Sequence, residues 1–383
     1  MKLLIHHHTS AYVDENGIWL QSFIGSWVSE LSKYFSEIGL LTNVTSTKIE
    51  TQDYLVSKSN VVVHKYNNYN CKSRRKLNKN IIITCRKLSF KYDILIIRGI
   101  TPKQKIVFDN CRVNTKAFLL VGSIVDSKPV LKVNKRRIIE WFLYWVRIYQ
   151  LKKIAKSSKI YANSKAAVDE LLNLLNIKAS VIPTNTISNT DFIPFKQKKI
   201  NSPIRLLFCG RVREDKGIED LIRALSLVLG QGYFVNLEIV GDCSKSYKDK
   251  LRILIENLGL SSNVNFNGFV RFGEKLFDFY QASDIYVLPS WHEGFPHSIW
   301  EAAANCIPVI TTSVGGIPSI LGRKHVLFCR VKSSKDIADC IIQTIEDPVA
   351  TCARLESLHS LAQNYSSERC AEKMYNTVSG IDI

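Results

Sequence analysis

Short apolar runs alternate with helical patterns along this chain, and the alternation stops at one polar stretch and then restarts. That rhythm constrains the fold more than any other feature. In the first half Lys2–Ile5, Val61–His64, Ile81–Thr84, Ile94–Ile97 and Ala117–Val121 read as strands, and Lys159–Ser164 and Ala179–Pro183 follow. Over Trp19–Ile38, Phe23, Trp27, Leu31, Tyr34 and Phe35 recur at helical spacing, so a long helix with one buried face is expected. In the second half Arg205–Cys209, Val235–Val240 and Asp284–Pro289 read as strands, with a helix over Ile218–Leu229. Helices are also expected over Lys165–Leu175 with Ser164 as cap, and over Asp336–Ile345, Asp347–Asn364 and Ser366–Val378. Strand–helix alternation builds parallel sheets covered by helices. The interruption, Thr184–Ser202, is polar and aperiodic and reads as a linker between two domains, as the length of 383 residues also requires.

The residue content is that of a folded globular protein, 46% hydrophobic and 22% charged. Ten cysteines are scattered without CxxC pairs or metal-ligand spacing, which suits reduced thiols in a cytosolic protein. No signal peptide and no membrane-spanning run is expected. Net charge is +18, and it is lopsided: residues 1–195 hold 30 Lys and Arg against 13 Asp and Glu, and the remainder 22 against 21. Such a half meets an anionic surface or is a solvated basic face. Nucleic acid is not expected as a partner, since no RNP-like, zinc or helix-turn-helix signature is present. Residues 72–91 read as an exposed basic connection. Lys135–Lys153, an aromatic helix with basic ends, admits two readings: it lies in a lipid interface, or it is an interior packing helix. In the loop after the first strand, His6, His7 and His8 alternate in direction and cannot all converge on one ion; one or two of them are expected to face a site.

Two stretches of the second half carry chemistry. Ser290–Ala302, SWHEGFPHSIWEA, follows a strand and runs through the turn Glu293-Gly294-Phe295-Pro296 into a helix. This is the carboxyl edge of a parallel sheet, where helix N–H groups meet anions and carboxylates accept hydroxyl hydrogen bonds. Glu293 and Glu301 are either such acceptors or, respectively, a helix-dipole partner and a solvated side chain. Gly210–Gly217, GRVREDKG, places Arg211 and Lys216 between a strand and a helix, either as a clamp for a diphosphate or as a surface loop. Its glycine spacing is not that of a P-loop.

GRxxxxKG followed by ExxxxxxxE resembles the signature of the retaining glycosyltransferases of family four, and shorter matches agree. These are Ala162-Asn163-Ser164, Val181-Ile182-Pro183, Val240-Gly241-Asp242, Asn267-Gly268-Phe269-Val270, Ser283-Asp284 and Ser313-Val314-Gly315-Gly316-Ile317-Pro318. The resemblance is concentrated in Arg205–Leu321. It implies an α/β protein of GT-B fold, with two Rossmann-like domains facing across a cleft: 1–190 for the acceptor, 191–365 for the nucleotide sugar, and a final helix, 366–383, crossing back to the first domain. It implies that Arg211 and Lys216 bind the donor diphosphate after Gly210, that Glu293 faces the donor sugar with the Gly294, Phe295 and Pro296 backbone, and that Glu301 takes the ribose hydroxyls. Phe269 and Val270 stand where the base is held. Neither a metal nor a cofactor is implied; the chain has no DxD, and the donor is a UDP or GDP sugar. The implied reaction retains anomeric configuration, with a donor phosphate oxygen taking the acceptor's proton. A lipid-linked saccharide acceptor, in bacterial lipopolysaccharide or capsule synthesis, suits the basic first half and a cytoplasmic, peripheral place on an anionic membrane surface. The alternative is a nucleotide-sugar-binding protein or a hydrolase without transferase activity. Three departures are present: Thr184-Asn185-Thr186-Ile187 replaces the NG-type turn after the proline, the opening loop offers only Gly17 and then Gly25 instead of paired glycines, and Arg98-Gly99-Ile100-Thr101 closes the strand where family members often carry a cleft histidine.

Overall fold

The structure of the protein, a computed structural model, describes residues 1–66, 73–101, 103–122, 124 and 135–381, and at 74 and 135–137 the backbone alone. The chain divides into two units: Met1–Thr186 together with the residues from Ser367 onward, and Ile187–Ser366. The division falls at Thr186 rather than at 190 because the intervening residues pack on the second unit. Ile187 is buried in that unit's core, and the Ile193 N–H donates to the Ala304 carbonyl at 3.0 Å.

Seven parallel strands form the first unit's sheet. Their order is Ser180–Val181, Lys159–Ala162, Thr115–Leu120, Ile94–Arg98, Lys2–His6, Glu37–Thr42, Val61–Lys65. Alternate residues of the central strands enter two cores: Leu4, Leu95 and Ile97 one, and Leu3, Ile5 and Ile96 the other. That is what a strand covered by helices on both faces requires. Lys2–His6 and Ile94–Arg98 lie side by side, and the chain builds outward from this pair in both directions. Such a reversal leaves a crevice beyond the carboxyl ends of the two strands. The final helix, Ser367–Ser379, belongs to this unit, where Ala371, Met374 and Val378 share a core with Trp27 and Leu31. Tyr375 stacks on Tyr34 at 5.3 Å.

Several expectations fail in this half. The long helix over Trp19–Ile38 is a strand Gly17–Leu20, a helix Ser22–Leu31 and a strand Glu37–Thr42. Trp27 and Leu31 do face inward, but the helical pattern absorbed Glu37 and Ile38, whose backbone opens the strand paired with the first one. Gly17–Leu20 instead joins a small antiparallel sheet with Tyr12–Asp14 and Tyr54–Val56. The Asp14 carboxylate closes that hairpin by accepting from the Asn16 and Gly17 N–H groups.

The expected strand Ile81–Thr84 and the expected connection over 72–91 are one helix, Arg74–Leu88. Its buried residues Ile81, Cys85 and Leu88 recur at helical spacing, and its described cations face solvent. Ser73 caps it by accepting from the Lys76 N–H. Cys71 and Lys72 lie outside the described residues. The helix Lys135–Ala155 buries one face, as the interior reading expects, and leaves apolar side chains of another face exposed. Tyr144, Ile148, Leu151 and Ile154 enter the core, whereas Ile139, Phe142 and Tyr149 are 58%, 62% and 60% exposed. The side chains of Lys135, Arg136 and Arg137 lie outside the described set.

The second unit holds six parallel strands in the order Val264–Gly268, Val235–Val240, Ile204–Cys209, Ile285–Leu288, Val309–Thr312, Leu327–Cys329. Counted along the chain this is the doubly wound Rossmann order, and its reversal lies between Ile204–Cys209 and Ile285–Leu288. Helices Ser334–Glu346 and Pro348–Gln363 close the unit within a residue or two of their expected bounds.

Candidate active site

Both chemistry-bearing stretches leave the second sheet at its reversal point, one from each of the two adjacent strands. After Gly210, residues Glu214–Lys216 make a single 3-10 turn, and Gly217, at φ 69°, opens the helix Ile218–Gly230. A Cβ on Gly217 would lie 2.2 Å from the Pro289 carbonyl oxygen, so glycine lets this turn rest on the end of the neighbouring strand. The Trp291 N–H donates to the Asp215 carbonyl at 2.8 Å, and its indole N–H donates to Asp220 at 3.1 Å. Two loops remote in sequence are thereby tied together.

That tie brings Lys216 Nζ to 2.6 Å from Glu293 Oε1, which also accepts from Ser290 Oγ at 2.7 Å. Glu293 is held from its other side by the glycine pair of Ser313–Pro318. Gly315 sits at φ 55° with its absent Cβ position 1.6 Å from the Glu293 carbonyl oxygen, and the Gly316 N–H donates to the Gly294 carbonyl at 2.6 Å. The sequence offered this pair as a short motif match with no role; its role is support for the Glu293 turn.

Arg211 is exposed and, among the described residues, makes no ion pair or hydrogen bond. The Gly294 and Phe295 backbone N–H groups likewise donate to nothing among the described residues. The Phe295 ring stacks on Trp300 at 4.7 Å, and Trp300 on Tyr365 at 4.9 Å, which anchors the turn to the body of the unit. Pro296 begins the helix His297–Ala304 as its N-cap residue. A second helper is Tyr286, whose hydroxyl donates to Ser298 Oγ at 2.7 Å and fixes that helix against the strand.

Glu301 lies buried on the same helix. Its Oε2 accepts from the Tyr280 hydroxyl at 2.7 Å, and its other oxygen takes no hydrogen bond among the described residues. Burial pushes its pKa up to about 7, against the pull of the Tyr280 hydrogen bond and with a small push from Asp191. Phe269 and Val270 follow the edge strand Val264–Gly268, and the Gly241 N–H donates to the Gly268 carbonyl at 2.7 Å.

Lys216 and Glu293 therefore touch, with Gly210 and Arg211 on one loop and Gly294, Phe295 and Pro296 on the other. Glu301 follows on the next helix, facing Tyr280 rather than that pair. Phe269 and Val270 stand on a separate loop of the same sheet edge. The arrangement offers cations, free amides and a carboxylate oxygen, which is chemistry for an anionic, hydroxyl-bearing ligand. Among the described residues no group of three His, Cys, Asp or Glu side chains is disposed to hold a metal ion.

Two parallel Rossmann-like units, with the last helix returned to the first, define a GT-B fold. Over 99% of this chain and 100% of the other, the structure matches that of Anabaena Alr3699/HepE in complex with UDP-glucose, with a TM-score of 0.71 at 18% identity. Residues 189–365 match the family described as glycosyl transferases group 1. An uncharacterized glycosyltransferase of Methanocaldococcus jannaschii is 40% identical over 120 residues, 31% of this chain and 29% of that protein. The capsular polysaccharide biosynthesis glycosyltransferase CapM of Staphylococcus aureus is 26% identical over 253 residues, 60% of this chain and 65% of that protein. The matched region thus spans less than two thirds of either relative.

Proposed function

We propose that the protein is a retaining, metal-independent glycosyltransferase that moves a sugar from a nucleotide-diphosphate sugar to an acceptor hydroxyl. The observation that carries this reading is the 2.6 Å contact of Lys216 with Glu293, which joins the two loops at the reversal point, Arg211 standing on the first of them without a partner among the described residues. An ammonium has three N–H donors, so Lys216 keeps Glu293 while donating to a phosphate. Arg211 and Lys216 hold the donor diphosphate and stabilise the charge that develops on it as it leaves. The Gly294 and Phe295 amides and Glu293 hold the sugar. The free oxygen of Glu301 accepts from a ribose hydroxyl, and Phe269 and Val270 hold the base of a UDP or GDP donor. The acceptor oxygen bonds to the anomeric carbon on the face from which the diphosphate departs, and the acceptor proton passes to a leaving phosphate oxygen. No cofactor enters this account.

The acceptor we favour is a lipid-linked saccharide of bacterial surface-polysaccharide synthesis, either capsule or lipopolysaccharide, and the likeness to the capsular polysaccharide biosynthesis glycosyltransferase CapM supports that class. The outward Ile139, Phe142 and Tyr149 on a strongly basic half support peripheral docking on the anionic cytoplasmic face of a membrane. No helix of the described residues is long and apolar enough to cross one. Flotation with anionic vesicles tests this, with binding expected for the native chain and lost on Ile139→Ser with Phe142→Ser.

The transfer itself is tested by incubating the chain with UDP and GDP sugars, with and without lipid-linked or free saccharide acceptors, and reading the product's anomeric configuration by NMR. Nucleotide release that depends on acceptor, with configuration retained, is the expected result. Release at the same rate into water makes the protein a hydrolase, and binding without turnover makes it a sugar-nucleotide-binding protein.

A further inference from the structure

The first sheet's reversal point carries a different group, which the transfer chemistry does not use. Arg98 ends the strand Ile94–Arg98 beside Lys2–His6, and it is only 3% exposed. Its guanidinium lies over the rings of Phe23 and Trp27, at 5.1 and 5.7 Å. One N–H donates to His7 Nε2 at 2.9 Å; the enclosed Nε–H donates to nothing among the described residues, and no carboxylate among them pairs with the cation.

The partners around it are neutral. On its other side the His7 Nδ1 stands 3.0 Å from the Thr9 backbone N–H nitrogen and 2.6 Å from Thr9 Oγ1. His6 donates from Nδ1 to the Leu41 carbonyl at 3.0 Å, leaving Nε2 opposite Thr101 Oγ1 at 3.5 Å. Burial holds His6 at about 4, His7 well below the usual range and His8 below it, and it lowers Arg98 to about 9, still charged at neutral pH. Among the described residues, a Cβ built on Gly99 meets only His8, at 3.9 Å, and one on Gly122 meets none within 4 Å. A buried cation whose enclosed Nε–H has no partner among the described residues is costly unless something supplies its counter-charge, and a guanidinium fork matches carboxylate and phosphate oxygens in pairs.

We propose that Arg98, held by His7, Phe23 and Trp27, binds a single anionic group of a substrate, a carboxylate or phosphate monoester carried on a sugar. Attributing that anion to a substrate of sugar transfer rests on the function proposed above; the binding of the anion does not.

The test is thermal unfolding of the full chain at matched ionic strength with glucuronate, inorganic phosphate, neutral glucose or UDP, for the native chain, Arg98→Met and Arg98→Lys. Glucuronate or phosphate raises the native midpoint and glucose does not; the arm that responds identifies the anion. Arg98→Met unfolds at a higher temperature than the native chain without ligand, gains nothing from glucuronate, and keeps only the phosphate response that Arg211 and Lys216 give. Should Arg98→Met not fold, Arg98→Lys decides, because charge without the fork weakens the anion response about tenfold or more if the proposal holds. A native midpoint that no anion moves beyond glucose, or a variant that responds as the native chain does, overturns it. The UDP arm reports on the second unit alone, so its failure counts against the transferase reading and leaves the Arg98 site standing.

Discussion

The two sheets reverse direction in the same way, and the charges at the two reversal points are handled in opposite ways. In the second unit Lys216 is neutralised by Glu293 at 2.6 Å, and buried Glu301 is stabilised by Tyr280 at 2.7 Å. In the first unit Arg98 has, among the described residues, a neutral imidazole as its one hydrogen-bond partner and two aromatic faces. A paired site tolerates the absence of ligand at little cost, whereas an unpaired buried cation burdens the ligand-free fold. The second unit's site should therefore reveal itself in turnover, and the first unit's in stability.

The largest effect expected from this contrast is catalytic. Lys216→Ala removes the cation that joins the two loops and should cost on the order of 10²–10³-fold in transfer rate, measured with a saturating donor. Arg211→Ala should weaken donor binding as well; near-native transfer by both variants removes the basis for the site. Next comes Gly315→Ala, which sets a Cβ against the Glu293 carbonyl at a left-handed φ. It should destabilise the fold by about 1–3 kcal/mol in chemical denaturation, and unchanged stability contradicts the tight support of the Glu293 turn. Arg98→Met should stabilise the ligand-free chain by about 1 kcal/mol or more, reversing the usual sign for a buried substitution. Lost stability there erases the contrast between the two units.

The smallest effect is a pH dependence. Glu301 has a folded pKa of about 7 against an ordinary 4.5, so the folded state binds its proton more tightly than the unfolded state. Its contribution to stability is full below about 4.5 and is lost as pH rises through about 7. A ribose hydroxyl donates best to the ionised form, so nucleotide affinity should rise with pH through about 7. Tyr280→Phe removes the bond that favours the carboxylate and should move that rise to higher pH. A flat affinity profile across this range separates Glu301 from the ribose.

The second unit was legible because its chemistry sits where local signals are strongest. Asp284–Pro289 and Arg205–Cys209 are short apolar runs bounded by glycine or proline, and their loops keep polar residues at fixed spacing. Even there, the bond between the loops was invisible, since Lys216 and Glu293 meet only because the sheet places their strands side by side. The first unit was read less well. Ile81–Thr84 is a run of strand-like length, yet Ile81, Cys85 and Leu88 continue it at helical spacing, and the long pattern over Trp19–Ile38 hid a strand that tertiary pairing selects. Arg98 could be noticed in the sequence but not understood. What matters about it is that no carboxylate among the described residues pairs with it, a property of the folded surroundings.

Calorimetric titration of UDP and GDP into the native chain, Lys216→Ala and Arg98→Met tests the central claim most directly. The account predicts that one of the two nucleotides binds the native chain and Arg98→Met alike and binds Lys216→Ala at least about tenfold more weakly. Equal binding to Lys216→Ala, or no binding of either nucleotide to the native chain, contradicts the placement of a nucleotide-sugar site at the second unit's reversal point.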